Sequence, residues 1–224
     1  MRVKICGLST EETMNAALDA GADMVGLVFF AKSPRHVSLD RARSLAALAR
    51  GRAKIVALTV DASDDALDAI AEAVAPDFWQ LHGRETPARV ADIAARGRRT
   101  IKAIGVAEAA DLAAAKSYES VADYVLFDAR PAPGAILPGG NGVAFDWRLL
   151  AGLDLARPWV LSGGLNPDNV AEAIASSGAV AVDVSSGVER APGVKDIDAI
   201  RAFVANARYD GAAAMRHRQA RGST

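Results

Sequence analysis

Val3-Lys4-Ile5-Cys6-Gly7-Leu8 opens the chain with a short apolar strand that ends in the only cysteine and then a glycine. Side chains alternate faces along a strand, so Lys4 and Cys6 share one face about 7 Å apart. A lysine and a thiol on one face of a short apolar strand are unusual company for a core. A lone cysteine is most often just a buried hydrophobe. The rest of the chain decides between these readings.

Working outward, the same kind of apolar run recurs. Strands are expected near Val3–Cys6, Met24–Phe29, Lys54–Val60, Phe78–His82, Thr100–Gly105, Tyr124–Asp128, Trp159–Ser162 and Val180–Val184. They are rich in Val, Ile and Leu without strict alternation, as parallel strands covered on both faces are. Segments of helical period lie between them: Thr10–Ala20, Ser38–Ala49, Asp64–Val74, Thr86–Arg96, Glu108–Ser117, Phe145–Leu153, Pro167–Ser176 and Ile197–Ala207. The first begins at Ser9-Thr10-Glu11-Glu12, which reads as a capping box.

Eight strand–helix units of roughly 25–30 residues predict a closed (β/α)8 barrel, the TIM barrel. An open doubly wound sheet is the competing architecture, but it usually has fewer units and a Gly-x-Gly-x-x-Gly turn after its first strand. Cys6-Gly7-Leu8 is not that turn. With no linker in view, residues 1–208 read as one barrel domain and 209–224 as a flexible C-terminal tail.

Bulk properties narrow the function. Of 224 residues, 51% are hydrophobic, ample for a core, and the net charge of −1 gives no electrostatic case for nucleic acid or an anionic membrane. One cysteine excludes an internal disulfide framework and fits a reducing, cytoplasmic setting. No apolar run approaches the length needed to span a bilayer.

Barrel sites lie at the C-terminal strand ends. There the chain places Cys6, Ser33-Pro34-Arg35-His36, Asp61, Gln80 with His82, Asp128, Ser162-Gly163-Gly164, and Asp183 with Ser185-Ser186-Gly187. The small-residue loops after strands seven and eight suit convergent backbone N–H groups around a phosphate. Cys6 on strand one and Asp128 on strand six stand three strand steps apart and can flank a small substrate, an arrangement suited to proton transfer at two of its atoms. Lys4 is a candidate for raising the thiolate share of Cys6, or for pairing with Asp183. The three histidines show no metal-ligand spacing, so no metal is expected. Trp79, Trp147 and Trp159 read as packing between barrel and helices. The Pro- and Gly-rich stretch from Arg130 to Gly142 is a long loop of functional character.

In family order, several stretches resemble phosphoribosylanthranilate isomerases. They are Lys4-Ile5-Cys6-Gly7-Leu8; Gly26-Leu27-Val28-Phe29 with Ser33-Pro34-Arg35; Gln80-Leu81-His82-Gly83; Phe127-Asp128; Gly139-Gly140-Asn141-Gly142 before Phe145-Asp146-Trp147; Leu161-Ser162-Gly163-Gly164-Leu165; and Asp183 to Glu189. The resemblance implies a cofactor-free Amadori rearrangement of N-(5′-phosphoribosyl)anthranilate in tryptophan biosynthesis. It makes Asp128 the general acid and Cys6 the general base. It gives Arg35 the anthranilate carboxylate, and Gly163, Gly164, Ser185, Ser186 and Gly187 the phosphate. Gln80 and Asp183 would line the pocket, and the loop 130–142 would cover it. Asn141 replaces the family's usual threonine, a change expected to touch loop dynamics before chemistry. The expected partner is the small-molecule substrate alone, with the chain a monomer or homodimer.

Rival readings remain open. A metal-dependent sugar-phosphate epimerase lacks its ligand spacing here. An indoleglycerol-phosphate synthase would need a set of lysines, for which Lys102 on strand five is the one interior candidate. A non-catalytic phosphate-sensing barrel would need neither Cys6 nor Asp128.

Overall fold

The apolar runs pair edge to edge in chain order. The structure is a computed structural model that describes residues 1–132, 134, 137–140 and 142–209. Strands β1 (Arg2–Cys6), β2 (Met24–Phe29), β3 (Lys54–Thr59), β4 (Phe78–Leu81), β5 (Thr100–Val106), β6 (Tyr124–Ala129), β7 (Trp159–Leu161) and β8 (Ala181–Val184) form a closed barrel. All neighbours are parallel, and β1 closes the ring by pairing with both β2 and β8. Among the described residues no helix is long and apolar enough to cross a membrane.

Alternation along each strand divides the barrel into an inner and an outer surface. Met24, Val56, Phe78, Ile101, Ala103, Tyr124, Leu126, Val160 and Ala181 fill the interior at its N-terminal end. Phe78 and Tyr124 meet edge to face at 5.6 Å, and Arg2 Nη1 donates to the Tyr124 hydroxyl at 2.6 Å. Two residues further along their strands, the inward side chains include the polar Gln80, Asp128, Ser162 and Asp183. The apolar floor supplies cohesion, and the polar upper half is free for chemistry.

The outward residues pack under the helices α1 (Glu11–Asp19), α2 (Leu39–Ala49), α3 (Asp64–Val74), α4 (Pro87–Ala95), α5 (Ala113–Lys116), α6 (Val170–Ser177) and α7 (Ile197–Ala207). Hydroxyl or carboxylate caps start five of them. Thr10, Ser38, Ser63, Thr86 and Asp196 each accept a backbone N–H from the first turn.

Several sequence expectations are corrected. The cap of α1 is Thr10 rather than Ser9, and its partner is Thr13. The helix expected over Glu108–Ser117 is a 3₁₀ turn, Ala109–Leu112, followed by the single turn of α5. Only Ala115 is buried there, so no large apolar stripe holds a longer helix to the barrel. The helix expected over Phe145–Leu153 is a 3₁₀ turn, Trp147–Leu150, cut short before Gly152. A hairpin not foreseen, β9 (Glu189–Ala191) with β10 (Val194–Lys195), lies between β8 and α7. Lys102 is not an interior residue. Its neighbours Ile101 and Ala103 face inward, so alternation sends Lys102 outward, where it pairs with Glu85 at 2.8 Å.

The expectations for Asn141 and for residues 210–224 lie outside the described residues.

Candidate active site

A cleft opens at the C-terminal ends of the strands, lined from β1, β4, β6 and the loops after β2, β7 and β8. The residues meet there because parity carries them inward. Lys4 and Cys6 alternate with the outward Val3 and Ile5. Gln80 and His82 alternate with the outward Leu81, and Asp128 follows the outward Phe127. Cys6 and Asp128 both line the cleft and are 3% and 6% exposed, so each faces substrate space rather than bulk water.

Below Cys6, Lys4 Nζ donates to Asp183 Oδ1 at 2.8 Å, the cross-strand pair that the β1–β8 register sets up. Ser162 lies 3.5 Å from the other Asp183 oxygen. Lys4 works against its burial: the charge of Asp183, with that of Cys6, holds the ammonium above its usual value. The thiol shows the opposite balance. Burial pushes Cys6 up and Asp183 adds to this, while Lys4 and Lys195 pull it down without prevailing. Lys4 thus pairs with Asp183, and its charge opposes the rise of the Cys6 thiol without overcoming burial.

Across the cleft, His82 Nε2 lies 3.3 Å from Asp128 Oδ2, and Gln80 Nε2 lies 3.0 Å from His82 Nδ1. The other Asp128 oxygen accepts the N–H of Ala129 at 2.9 Å. The polar strand ends marked His82 only as present. Its contact with the carboxyl was not foreseen, although the two-residue spacing from Gln80 carries that signal. Gly139 arches over this group: a side chain there would fall within 2.6 Å of both Asp128 and His82.

The loops after β7 and β8 form the third wall. Gly163 and Gly164 both take positive φ, at 82° and 68°. Among the described residues, no acceptor bonds the backbone N–H of Gly163, Gly164, Ser186 or Gly187. Gly187 stands behind the wall, where a Cβ would collide with the Leu165 carbonyl oxygen, so only glycine lets the two loops touch. Trp147 donates to the Gly163 carbonyl at 3.2 Å, a tie beyond the packing expected of it. Trp79 is buried under α3 and α4, and Trp159 packs on Phe127.

Arg35 reaches the cleft from the loop after β2. Its Nε and Nη2 bind the Glu189 carboxylate at 2.7 and 2.9 Å, and Nη2 also donates to the Gly140 carbonyl at 3.1 Å. Lys195 Nζ completes this cluster, at 2.8 Å from Glu189. Burial would push Glu189 up, but the Arg35 hydrogen bond and Lys195 charge hold it below its usual value. Lys195 is lowered, chiefly by burial. Glu189 entered the sequence reading only within a motif, and Lys195 not at all. Asp61 stays outside the cleft: its carboxylate caps Arg84 N–H at 2.6 Å, and its own N–H bonds Glu85.

This fold and cleft define a (β/α)8-barrel enzyme with an enclosed polar site at its strand ends. Residues 3–206 match the family model for N-(5′-phosphoribosyl)anthranilate (PRA) isomerase. The chain is 60% identical over 207 residues to N-(5′-phosphoribosyl)anthranilate isomerase from Rhodopseudomonas palustris strain BisA53, covering 92% of this chain and 95% of that one. A solved phosphoribosyl anthranilate isomerase from Thermotoga maritima superposes with a TM-score of 0.84 at 38% identity, covering 93% and 98% of the two chains. Another, in complex with reduced 1-(o-carboxyphenylamino)-1-deoxyribulose 5-phosphate, superposes with a TM-score of 0.81 at 37% identity and the same coverage. The chain belongs to the N-(5′-phosphoribosyl)anthranilate isomerase family.

Proposed function

We propose that this chain isomerises N-(5′-phosphoribosyl)anthranilate to 1-(2-carboxyphenylamino)-1-deoxyribulose 5-phosphate, a step of tryptophan biosynthesis. What supports the mechanism is that Cys6 on β1 and Asp128 on β6, three strand steps apart in the barrel, both line one cleft.

Asp128 in its protonated form gives its proton to the furanose ring oxygen as the C1–O bond breaks. The lone pair of the anthranilate nitrogen forms the C1=N bond, giving an iminium. Cys6 as thiolate takes the proton from C2. The C–H pair becomes the C1=C2 bond and the C1=N pair returns to nitrogen, giving an enolamine. Tautomerisation moves the C2 hydroxyl proton away and protonates C1, leaving the ketone. One proton is donated and one removed, so substrate and product are isomers.

Burial of the thiol raises the cost of the thiolate, and Lys4 offsets part of it. Substrate phosphate would sit against the N–H groups of Gly163, Gly164 and Ser186 beside Ser185, with Gly187 keeping the loops in contact. Arg35 would take the anthranilate carboxylate through its Nη1 hydrogens, which have no acceptor among the described residues. Gln80 and Asp183 act behind His82 and Lys4. We assign catalysis to residues 1–208, place the enzyme in the cytoplasm, and expect a monomer or homodimer. A T. maritima relative is described as dimeric, with monomers generated from it.

The test is loss of anthranilate-adduct fluorescence with purified protein. Asp128→Asn should lose about 10²–10⁴-fold in kcat with KM changed only a few-fold, since the amide keeps the shape but holds no transferable acid proton. Wild-type kcat in that variant removes Asp128 from the mechanism.

A further inference from the structure

The hairpin of β9 and β10 stands outside the strand–helix alternation, and the proton transfers above make no use of it. Its two ends carry a buried ion pair, Lys195 Nζ to Glu189 Oε1 at 2.8 Å. Each partner also holds a different loop of the cleft. Glu189 grips Nε and Nη2 of Arg35 in a two-point fork, which sets the plane of the guanidinium as well as its position. Lys195 Nζ donates to the carbonyl and the hydroxyl of Ser185 at 2.8 and 3.2 Å. The three charged side chains are at most 7% exposed, so water does not loosen these bonds. The hairpin turn closes the arrangement: Gly193 N–H donates to Glu189 Oε2 at 3.2 Å, and a Cβ on Gly193 would lie 2.5 Å from the Pro34 carbonyl oxygen.

A pair that served stability alone would not need to end on both the Arg35 loop after β2 and the Ser185 loop after β8. We propose that Glu189 and Lys195 are positioning residues that hold the guanidinium of Arg35 and the anion-binding loop at Ser185 at a set separation, matched to a substrate with an aryl carboxylate at one end and a phosphate at the other. This rests on the isomerase reading above. Glu189 occupies one edge of the guanidinium and Gly140 the remaining Nη2 hydrogen, so Glu189 decides that the Nη1 edge is the one offered to substrate. Neither residue touches reacting atoms.

Steady-state kinetics of Glu189→Asp, Glu189→Gln and Lys195→Met test this, with competitive inhibition by inorganic phosphate as a second readout and circular dichroism to show folding. Absence of wild-type turnover overturns the isomerase reading, and this inference with it. With turnover established, Glu189→Asp keeps the charge but is one methylene shorter and draws the guanidinium back. It should raise KM about tenfold or more, with kcat and the phosphate inhibition constant within about threefold. Lys195→Met frees Ser185 as well, so it should weaken phosphate inhibition and substrate together. A purely structural pair would lower the melting temperature and leave both constants of the folded enzyme unchanged, and that result overturns the proposal. If Glu189→Gln and Lys195→Met do not fold, Glu189→Asp decides alone, since it keeps the buried charges balanced.

Discussion

Cys6 sits between opposing influences. Burial and Asp183 favour the thiol, Lys4 and Lys195 favour the thiolate, and burial prevails. Lys4→Met removes the largest influence on the thiolate side. The pKa of Cys6 must then rise further, and because the base works deprotonated, the acidic limb of the kcat/KM profile should move to higher pH. A thiol titration by alkylation rate checks the same shift directly, and an unmoved pKa would separate Lys4 from Cys6. Asp183→Asn in the same background guards against misreading a charge left unpaired, since it removes the other member of the pair. Period-two alternation alone makes Lys4, Cys6, Gln80 and Asp128 legible as inward residues. It makes Lys102 equally legible as an outward one, once Ile101 and Ala103 are assigned to the interior. The Arg35–Glu189 fork joins residues 154 positions apart. No local pattern encodes such a contact, because the register of a closed barrel decides which loops meet.

At the scale of elements, the loops after β7 and β8 work only as a pair. Gly187 holds them in contact, and its missing side chain is a packing requirement: the Leu165 carbonyl oxygen occupies the place a Cβ would take. Gly187→Ala must therefore push the loops apart. The expected cost is about 1–3 kcal/mol of stability, read from urea unfolding, together with weaker competitive inhibition by inorganic phosphate. Full retention of both quantities would mean that the loops have slack and that their contact does not shape the anion site. The same elements show where sequence patterning fails. Helical period is visible in Glu108–Ser117 and Phe145–Leu153, yet the first forms a 3₁₀ turn and a single α-turn and the second only a 3₁₀ turn. A helix in a barrel persists when a large apolar stripe docks on the strands. Ala115 alone is too small a stripe, and Gly152 ends the other segment after one turn. The strands are legible to within a residue or so, because burial on both faces demands unbroken apolar runs.

Across the whole molecule, the carboxylates whose affinity for protons shifts all shift the same way. Asp64 and Asp146 are lowered mainly by hydrogen bonds from Arg89 and Arg148. Asp77 and Glu189 are lowered although burial opposes it, Asp77 by Lys54 and the N–H of Ile55, Glu189 by Arg35 and Lys195. Two of these groups join separate segments: Asp77 ties the start of β4 to neighbouring β3, and Glu189 ties the last hairpin to the loop after β2. Each therefore binds its proton less readily in the folded chain than in the unfolded one. Between the folded and unfolded pKa values the unfolded chain holds more protons, so stability rises with pH there. The contribution is complete above the ordinary carboxylate values of 3.8 and 4.5, and it is lost as pH falls through the lower, folded values. Melting temperature should be flat from pH 7 to about pH 5 on account of these groups and should fall steeply below about pH 4. Glu189→Gln should flatten part of that acid fall, because the amide has no proton to take up, while lowering the plateau by leaving Arg35 and Lys195 without their anion. Exposed Asp146→Asn, by contrast, should leave the plateau almost unchanged, since its partner Arg148 lies in water. A melting curve indifferent to pH down to 3, or a Glu189→Gln plateau equal to wild type, would show that these ion pairs do not hold the segments they join together.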